Sequence, residues 1–329
     1  MKRGPAAAAL AIAAFVVIVV GVGFAAASAA GLGADRGRLA LTLAALGLHF
    51  AAAAALAIPS FVDRLRRFLD GRSWRTVLVA AALLSPYLLY WAIPGTARLA
   101  WLSRVVAWVA TPTLVAILWP RRWVLTGEAL ITLLVWLPVE FHWVKKAYPW
   151  PAGGNGAILA APLGLSLMVF LFAVVRGWSD LGYVARVDRR DLLSAGAAFL
   201  GFAAIGIPLG LWSGFLRPAA AWPGPVAILL RGVMIFLLTA VPEETCFRGL
   251  IQGYFARLTG RPIVSLAAAS LVFGAAHLNN GPVPDWRYAV LATLAGLAYG
   301  WTYMRTRRLA APALTHLLVD LTWSVVFKG

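Results

Sequence analysis

Apolar runs of about 18–25 residues recur along this chain, separated by short loops in which arginine is the dominant charge. A run of that length crosses a hydrocarbon core of about 30 Å as a helix. Inside a bilayer every backbone N–H and C=O must be satisfied by the protein itself, which leaves helix bundles and closed β-barrels. Barrel strands alternate apolar and polar residues over about ten positions, and no such alternation is present. The expected fold is therefore all-α, a polytopic transmembrane helix bundle of about eleven spans. These fall at about 5–30, 39–62, 76–93, 99–119, 123–139, 157–175, 192–215, 226–240, 263–277, 288–304 and 310–326. With 62% hydrophobic and only 12% charged residues, a soluble enzyme is excluded.

The net charge of +17 would suggest nucleic acid in a soluble chain. Here the cations sit in loops between spans, where the positive-inside rule puts them, so no nucleic-acid partner is expected. With a cytoplasmic N-terminus the inner segments hold nineteen Lys and Arg, including Arg64, Arg66, Arg67, Arg72 and Arg75 in one loop. The outer segments hold eight, and Arg104 and Arg231 lie within spans, which accounts for all 29. The reading is an integral protein of the plasma (inner) membrane, N-terminus in and C-terminus out. The first run follows Lys2-Arg3 and ends near Ala27-Ser28-Ala29, a small-residue cleavage pattern. It exceeds the 7–15 apolar residues of a signal peptide core, so an uncleaved first span is expected. The loop after Arg176, with Asp180, Asp188 and Asp191 among arginines, reads as the seam between an N-terminal region, 1–176, and a C-terminal domain, 177–329.

Three polar clusters interrupt the last third. Glu243-Glu244-x-x-x-Arg248 puts Glu244 and Arg248 at helical i,i+4 spacing, acid before base, with Glu243 about 100° round the helix. Intramembrane charges are costly and mark functional sites. The natural division is a Glu244–Arg248 pair that fixes the helix face and a Glu243 turned elsewhere for chemistry. Because the span before it ends near residue 240, this segment is expected near the cytoplasmic side. The second cluster is Phe273-Gly274-Ala275-Ala276-His277, whose small residues let a neighbour approach closely. In the third, His316 and Asp320 are four apart on one face. A Glu and a His around one water can polarise it for attack on a carbonyl. Glu243, His277 and His316 can equally bind a divalent metal such as zinc, with Asp320 as a fourth ligand or as the acceptor that orients an imidazole.

EExxxR, FxxxH and HxxxD on successive helices resemble the CPBP family of intramembrane glutamic-type proteases. This is the CAAX protease and bacteriocin-processing family, with its lysostaphin-resistance-like members. The resemblance covers about 226–323, with Ser179-Asp180-Leu181-Gly182-Tyr183 similar to the segment that precedes the family core. It implies an intramembrane endopeptidase acting on a membrane-associated protein or peptide. By the resemblance Glu243 and His277 activate the water, His316 and Asp320 complete the site, and Glu244 with Arg248 supports it. Many relatives carry Asn where this chain has Asp320. CAAX-type, C-terminal sorting-signal and bacteriocin-type processing are all implied substrate classes.

Two other readings use the same residues. A non-catalytic membrane scaffold or immunity protein would bind a partner through these helices, and a proton or cation transporter would use the acids as a relay. The remaining polar residues read as structural. His49 has no acidic neighbour and is expected to be a satisfied core histidine. Glu140 and His142 are expected in a solvated outer loop, Glu128 beside a polar cavity, and Arg104 and Arg231 snorkelling or paired in the bundle. Cys246, the single cysteine, excludes an internal disulfide and is given no role.

Overall fold

The computed structural model describes residues 14–17, 20, 21, 23, 36–93, 97–148, 160–219, 221–281 and 283–328. Of the first apolar run only residues 14–17, 20, 21 and 23 are described, and these are helical. The proposed cleavage site at 27–29 and loop residues 149–156 lie outside the described residues. The chain separates into two compact units, Met1–Trp178 and Ser179–Gly329. Both are helical, apart from one two-residue strand pair. Among the described residues five helical stretches are long and apolar enough to cross a membrane: Gly37–Leu56, Leu99–Leu118, Arg189–Trp212, Pro225–Thr259 and Pro262–Asn279. Ala161–Val175 and Ala310–Val326 are shorter apolar helices.

The N-terminal unit contains α1 (Arg36–Leu56), α2 (Pro59–Leu69), α3 (Ser73–Trp91), α4 (Leu99–Leu118), α5 (Val124–Glu140) and α6 (Ala161–Val175). Indoles and an arginine tie these helices through backbone groups. Trp108 Nε1 donates to the Val135 carbonyl at 2.9 Å, joining α4 to α5. Arg66 donates to the Ala173 carbonyl from Nε and Nη2 at 3.0 and 2.7 Å, satisfying a carbonyl where α6 ends in a wide i→i+5 turn. Glu128 is buried and accepts from Trp178 Nε1 at 2.6 Å, while its Oε2 has no hydrogen-bond partner. His49 is buried with Nδ1 unpartnered, so the expectation of a satisfied histidine fails at that atom. Glu140 is half-buried and accepts from Trp136, whereas His142 is exposed. Arg104 reaches the Trp143 carbonyl at 3.3 Å.

The C-terminal unit contains α7 (Arg189–Trp212), α8 (Pro225–Thr259), α9 (Pro262–Ala276), α10 (Trp286–Thr306) and α11 (Ala310–Val326). Helix α7 starts with a reciprocal capping box between Asp188 and Asp191. Arg308 pairs with both carboxylates, at 2.6 and 3.0 Å, and so fastens the start of α11 to the start of α7. Just upstream, Gly182 adopts a φ of +75° and its carbonyl accepts from Leu309 N at 3.0 Å. A Cβ there would stand 2.8 Å from the Arg307 carbonyl, so the 179–183 segment needs glycine at this point. At the opposite helix ends β1 (Arg217–Pro218) pairs antiparallel with β2 (Phe327–Lys328). Helices α9 and α10 pack closely through small residues: a Cβ on Gly274 would meet Thr293 Oγ1 and, at 2.6 Å, the Ala289 carbonyl, and one on Gly296 would lie 3.2 Å from Ser270 Cα.

Candidate active site

The helix carrying the glutamate pair does not end near residue 240. α8 continues to Thr259, with wide i→i+5 turns at Phe236–Ala240 and Thr245–Gln252, so the pair lies in the middle of a 35-residue helix rather than at a boundary. Pro242 explains the difference. It lacks an N–H and crowds the preceding turn, which in sequence reads as a stop. The widened turn before it is where the helix absorbs the proline and runs on.

On this helix the two glutamates have opposite surroundings. Glu244 is fully buried; its Oε2 accepts from Arg248 Nε at 2.9 Å and its Oε1 faces His316 Nδ1 at 2.9 Å. Arg248 is fully buried too, with its guanidinium 5.0 Å from the Phe273 ring centroid and 5.8 Å from that of Tyr299. Its Nη1 and Nη2 have no hydrogen-bond partner, so the aromatic faces and Glu244 hold the charge. Glu243 instead has a side chain 35% exposed, and its Oε2 stands 3.9 Å from His316 Nε2.

His316 is the hub between the carboxylates. Nδ1 faces Glu244, Nε2 faces Asp320 Oδ2 at 3.3 Å, and the ring stacks on Tyr299 with centroids 4.7 Å apart and planes at 13°. His277 closes α9. Its Nδ1 lies 2.8 Å from the Phe273 carbonyl, and its ring meets Tyr288 edge-on at 4.7 Å. A carbonyl only accepts, so Nδ1 carries the proton and neutral His277 has its Nε2 lone pair available.

Glu243, His277, His316 and Asp320 all line one cavity of about 270 Å³, walled on its apolar side by Phe199, Phe202 and Trp323 among others. The structure therefore brings the three polar clusters together around a single space. Sequence reasoning missed the aromatic frame: Tyr299 under His316, Tyr288 beside His277, and Phe273 against both imidazoles and Arg248. A tyrosine inside an apolar span, as at 299, was the available signal. Cys246 is buried one helical step from the pair and does not line the cavity. Among the described residues no group of three His, Cys, Asp or Glu is arranged to hold an ion. Three of the four imidazole nitrogens face other groups, namely Glu244, Asp320 and the Phe273 carbonyl.

Helices long and apolar enough to span a bilayer, enclosing buried carboxylates and imidazoles around a cavity, define an integral membrane protein. Residues 225–322, which contain all six of these polar residues, match the family model described as Rce1-like, type II CAAX prenyl endopeptidase Rce1-like. The match supports, for this part of the chain, the resemblance to the CAAX protease family and a membrane endopeptidase in general. Neither a curated protein nor a solved structure matches it.

Proposed function

We propose that the protein hydrolyses a peptide bond of a membrane-associated protein or peptide with a water activated by Glu243 and His277. The observation that carries this reading is the asymmetry of the pair: Glu244 is sealed in with Arg248 and His316, whereas Glu243 faces the cavity. In the proposed reaction the water donates one hydrogen to the Glu243 carboxylate and the other to His277 Nε2. As its oxygen bonds to the substrate carbonyl carbon, its proton passes to Glu243 and the carbonyl becomes an oxyanion. The oxyanion collapses, the C–N bond breaks, and Glu243 returns the proton to the departing amine. With Glu244 and Asp320 ionised, both nitrogens of His316 donate, which makes it a cation beside the reacting carboxylate. Asp320 then acts as an acceptor that orients this ring.

The same reading takes the protein as crossing the plasma (inner) membrane about eleven times with its N-terminus in the cytoplasm, on the strength of a charge distribution that is eighteen to eight once Arg248, buried within α8, is set aside. Region 1–176 is then a substrate-recognition module for the protease domain, 177–329.

The test is cleavage of a membrane peptide by purified wild type and Glu243→Gln, with metal content measured and chelator added. Metal-free, chelator-insensitive cleavage, reduced about 10²–10⁴-fold in the variant, is the expected result. Stoichiometric zinc with chelator-sensitive cleavage would replace this mechanism with a metal-assisted one. Equal rates for variant and wild type would refute the role of Glu243.

A further inference from the structure

The two ends of the C-terminal unit differ sharply in charge, and the site sits nearer one of them. At one end lie Arg186, Arg189 and Arg190 at the start of α7, Arg257 and Arg261 after α8, Arg305 and Arg307 at the end of α10, and Arg308 before α11. Contacts gather these into one face: Arg308 with Asp188 and Asp191, Arg190 with the Arg305 carbonyl, and Arg257 with Asp180. A groove between α7 and α10 there is lined by Arg189, Arg190, Arg305 and Trp301, the mix of arginine and indole found at a headgroup interface.

The opposite end carries Arg217, Arg287 and Lys328. It is tied together by the β1–β2 pair and by ring contacts of Phe215 with Tyr288 at 5.1 Å and with Trp323 at 5.2 Å. Eight cations against three make the arginine face cytoplasmic by the positive-inside rule.

Depth then follows from helix rise. At 1.5 Å per residue, Glu243 stands about 20 Å along α8 from Arg257, His277 about 24 Å along α9 from Arg261, and Asp320 about 18 Å along α11 from Arg308. His316 stands about 12 Å along α11 from Arg308, so in a hydrocarbon core of about 30 Å the four residues centre on the middle of the membrane, with Glu243, His277 and Asp320 on the side away from the arginines. The cavity continues in the same direction, to Phe215, Tyr288, Trp323 and Phe327. Its lining includes Glu243 and Asp320, with His316 between them, and no Lys or Arg, so a substrate's terminal carboxylate finds no arginine or lysine there to pair with.

We infer that the site draws its substrate from the non-cytoplasmic half of the bilayer: an apolar segment of a translocated, membrane-anchored protein, cut internally rather than beside a free C-terminal carboxylate. This rests on the hydrolytic reading above and differs from the cytoplasmic placement expected when the glutamate-bearing span is read as ending near residue 240.

Orientation can be measured without activity. The single native cysteine is buried, so in a Cys246→Ala background Asn280→Cys and Arg307→Cys report the two ends separately. A membrane-impermeant maleimide applied to spheroplasts expressing the full chain should label the first at once and the second only after permeabilisation. The reverse pattern overturns the inference. A second arm presents one apolar tail fused to either an exported or a cytoplasmic reporter, alongside a prenylated peptide ending in a free carboxylate, with Glu243→Gln as control. Cleavage of the exported fusion alone is expected. Cleavage confined to the carboxylate-terminated peptide or the cytoplasmic fusion also overturns the inference. External labelling of Asn280→Cys with no cleavage of any substrate would instead defeat the hydrolytic reading.

Discussion

Replacing Arg248 by methionine should open the site while replacing Glu243 by glutamine should not, although the two residues are five apart on one helix. Methionine keeps the apolar contact with Phe273 but removes the Nε–H that Glu244 accepts at 2.9 Å, leaving a fully buried carboxylate with His316 alone. Removing one partner of a buried pair costs about 3–5 kcal/mol. Glu243 has a side chain 35% exposed, where solvent screens its charge, so its neutralisation should cost less than about 1 kcal/mol. Cys246 is 4% exposed between the two and is the chain's single cysteine, so its alkylation rate reports local opening. At about 1.4 kcal/mol per tenfold, Arg248→Met should speed alkylation by two to more than three powers of ten, and Glu243→Gln by less than about sixfold. Adding Glu244→Gln to Arg248→Met should recover much of the loss, because no unpaired charge remains buried. Wild-type alkylation in Arg248→Met, or equal acceleration in both single variants, would refute the division into a structural and a chemical glutamate.

Other consequences are local. Arg308 holds the Asp188 carboxyl below its usual range, chiefly through a direct hydrogen bond. A depressed pKa stabilises above the unfolded-state value of about 3.9 and loses that contribution as pH falls through the folded value. Asp188→Asn should therefore lower the unfolding temperature at pH 7, and its difference from wild type should begin to shrink below about pH 4 and vanish only once the pH is below the folded value. Gly274→Ala should destabilise by about 1–3 kcal/mol, since its Cβ would press on the Ala289 backbone. Gly196→Ala, with nothing within 4 Å, should be neutral or stabilising by up to about 1 kcal/mol in the same unfolding assay. His277→Ala should reduce cleavage about 10²–10⁴-fold with little change in Cys246 alkylation.

Much of the helical framework was legible because an apolar run in lipid has few options. The expected runs at 99–119 and 310–326 fall on Leu99–Leu118 and Ala310–Val326 almost residue for residue. What did not follow from hydropathy was where helices continue through polar residues. Pro242 and two glutamates mimic a helix end, and only widened backbone turns carry α8 past them. Span counting met a related limit: α10 is 21 residues long but is broken by Arg287 and several polar positions, so it is not among the five stretches apolar enough to cross by composition alone. The six polar residues of the site were legible from spacing, since three clusters on successive apolar runs of the last third pair acids or an imidazole at helical intervals, whereas His49 and Glu128 stand singly. Their aromatic frame was not, because Phe273, Tyr288 and Tyr299 look like ordinary apolar filling until the helices are packed.

Helix geometry accounts for how one dipeptide points one carboxylate into a buried pair and the other into the cavity. Adjacent residues point about 100° apart, so when Glu244 turns toward α11, Glu243 turns toward the cavity. The wide turn from Thr245 onward does not break the Glu244–Arg248 pair, which keeps its 2.9 Å contact. Glu244 then uses its two oxygens on two different partners, Arg248 on its own helix and His316 on α11. That second contact fixes the imidazole whose other nitrogen lies between Asp320 and Glu243. The buried glutamate thus aligns the cavity-facing one through His316, and the aromatic faces of Phe273 and Tyr299 brace the charges on both sides. A conservative Glu244→Asp should follow from this logic as a positioning defect: shortening the side chain by one methylene cannot span both partners, so kcat should fall while substrate binding is kept. A variant that lost binding and kcat in equal measure would show that Glu244 does not act through His316.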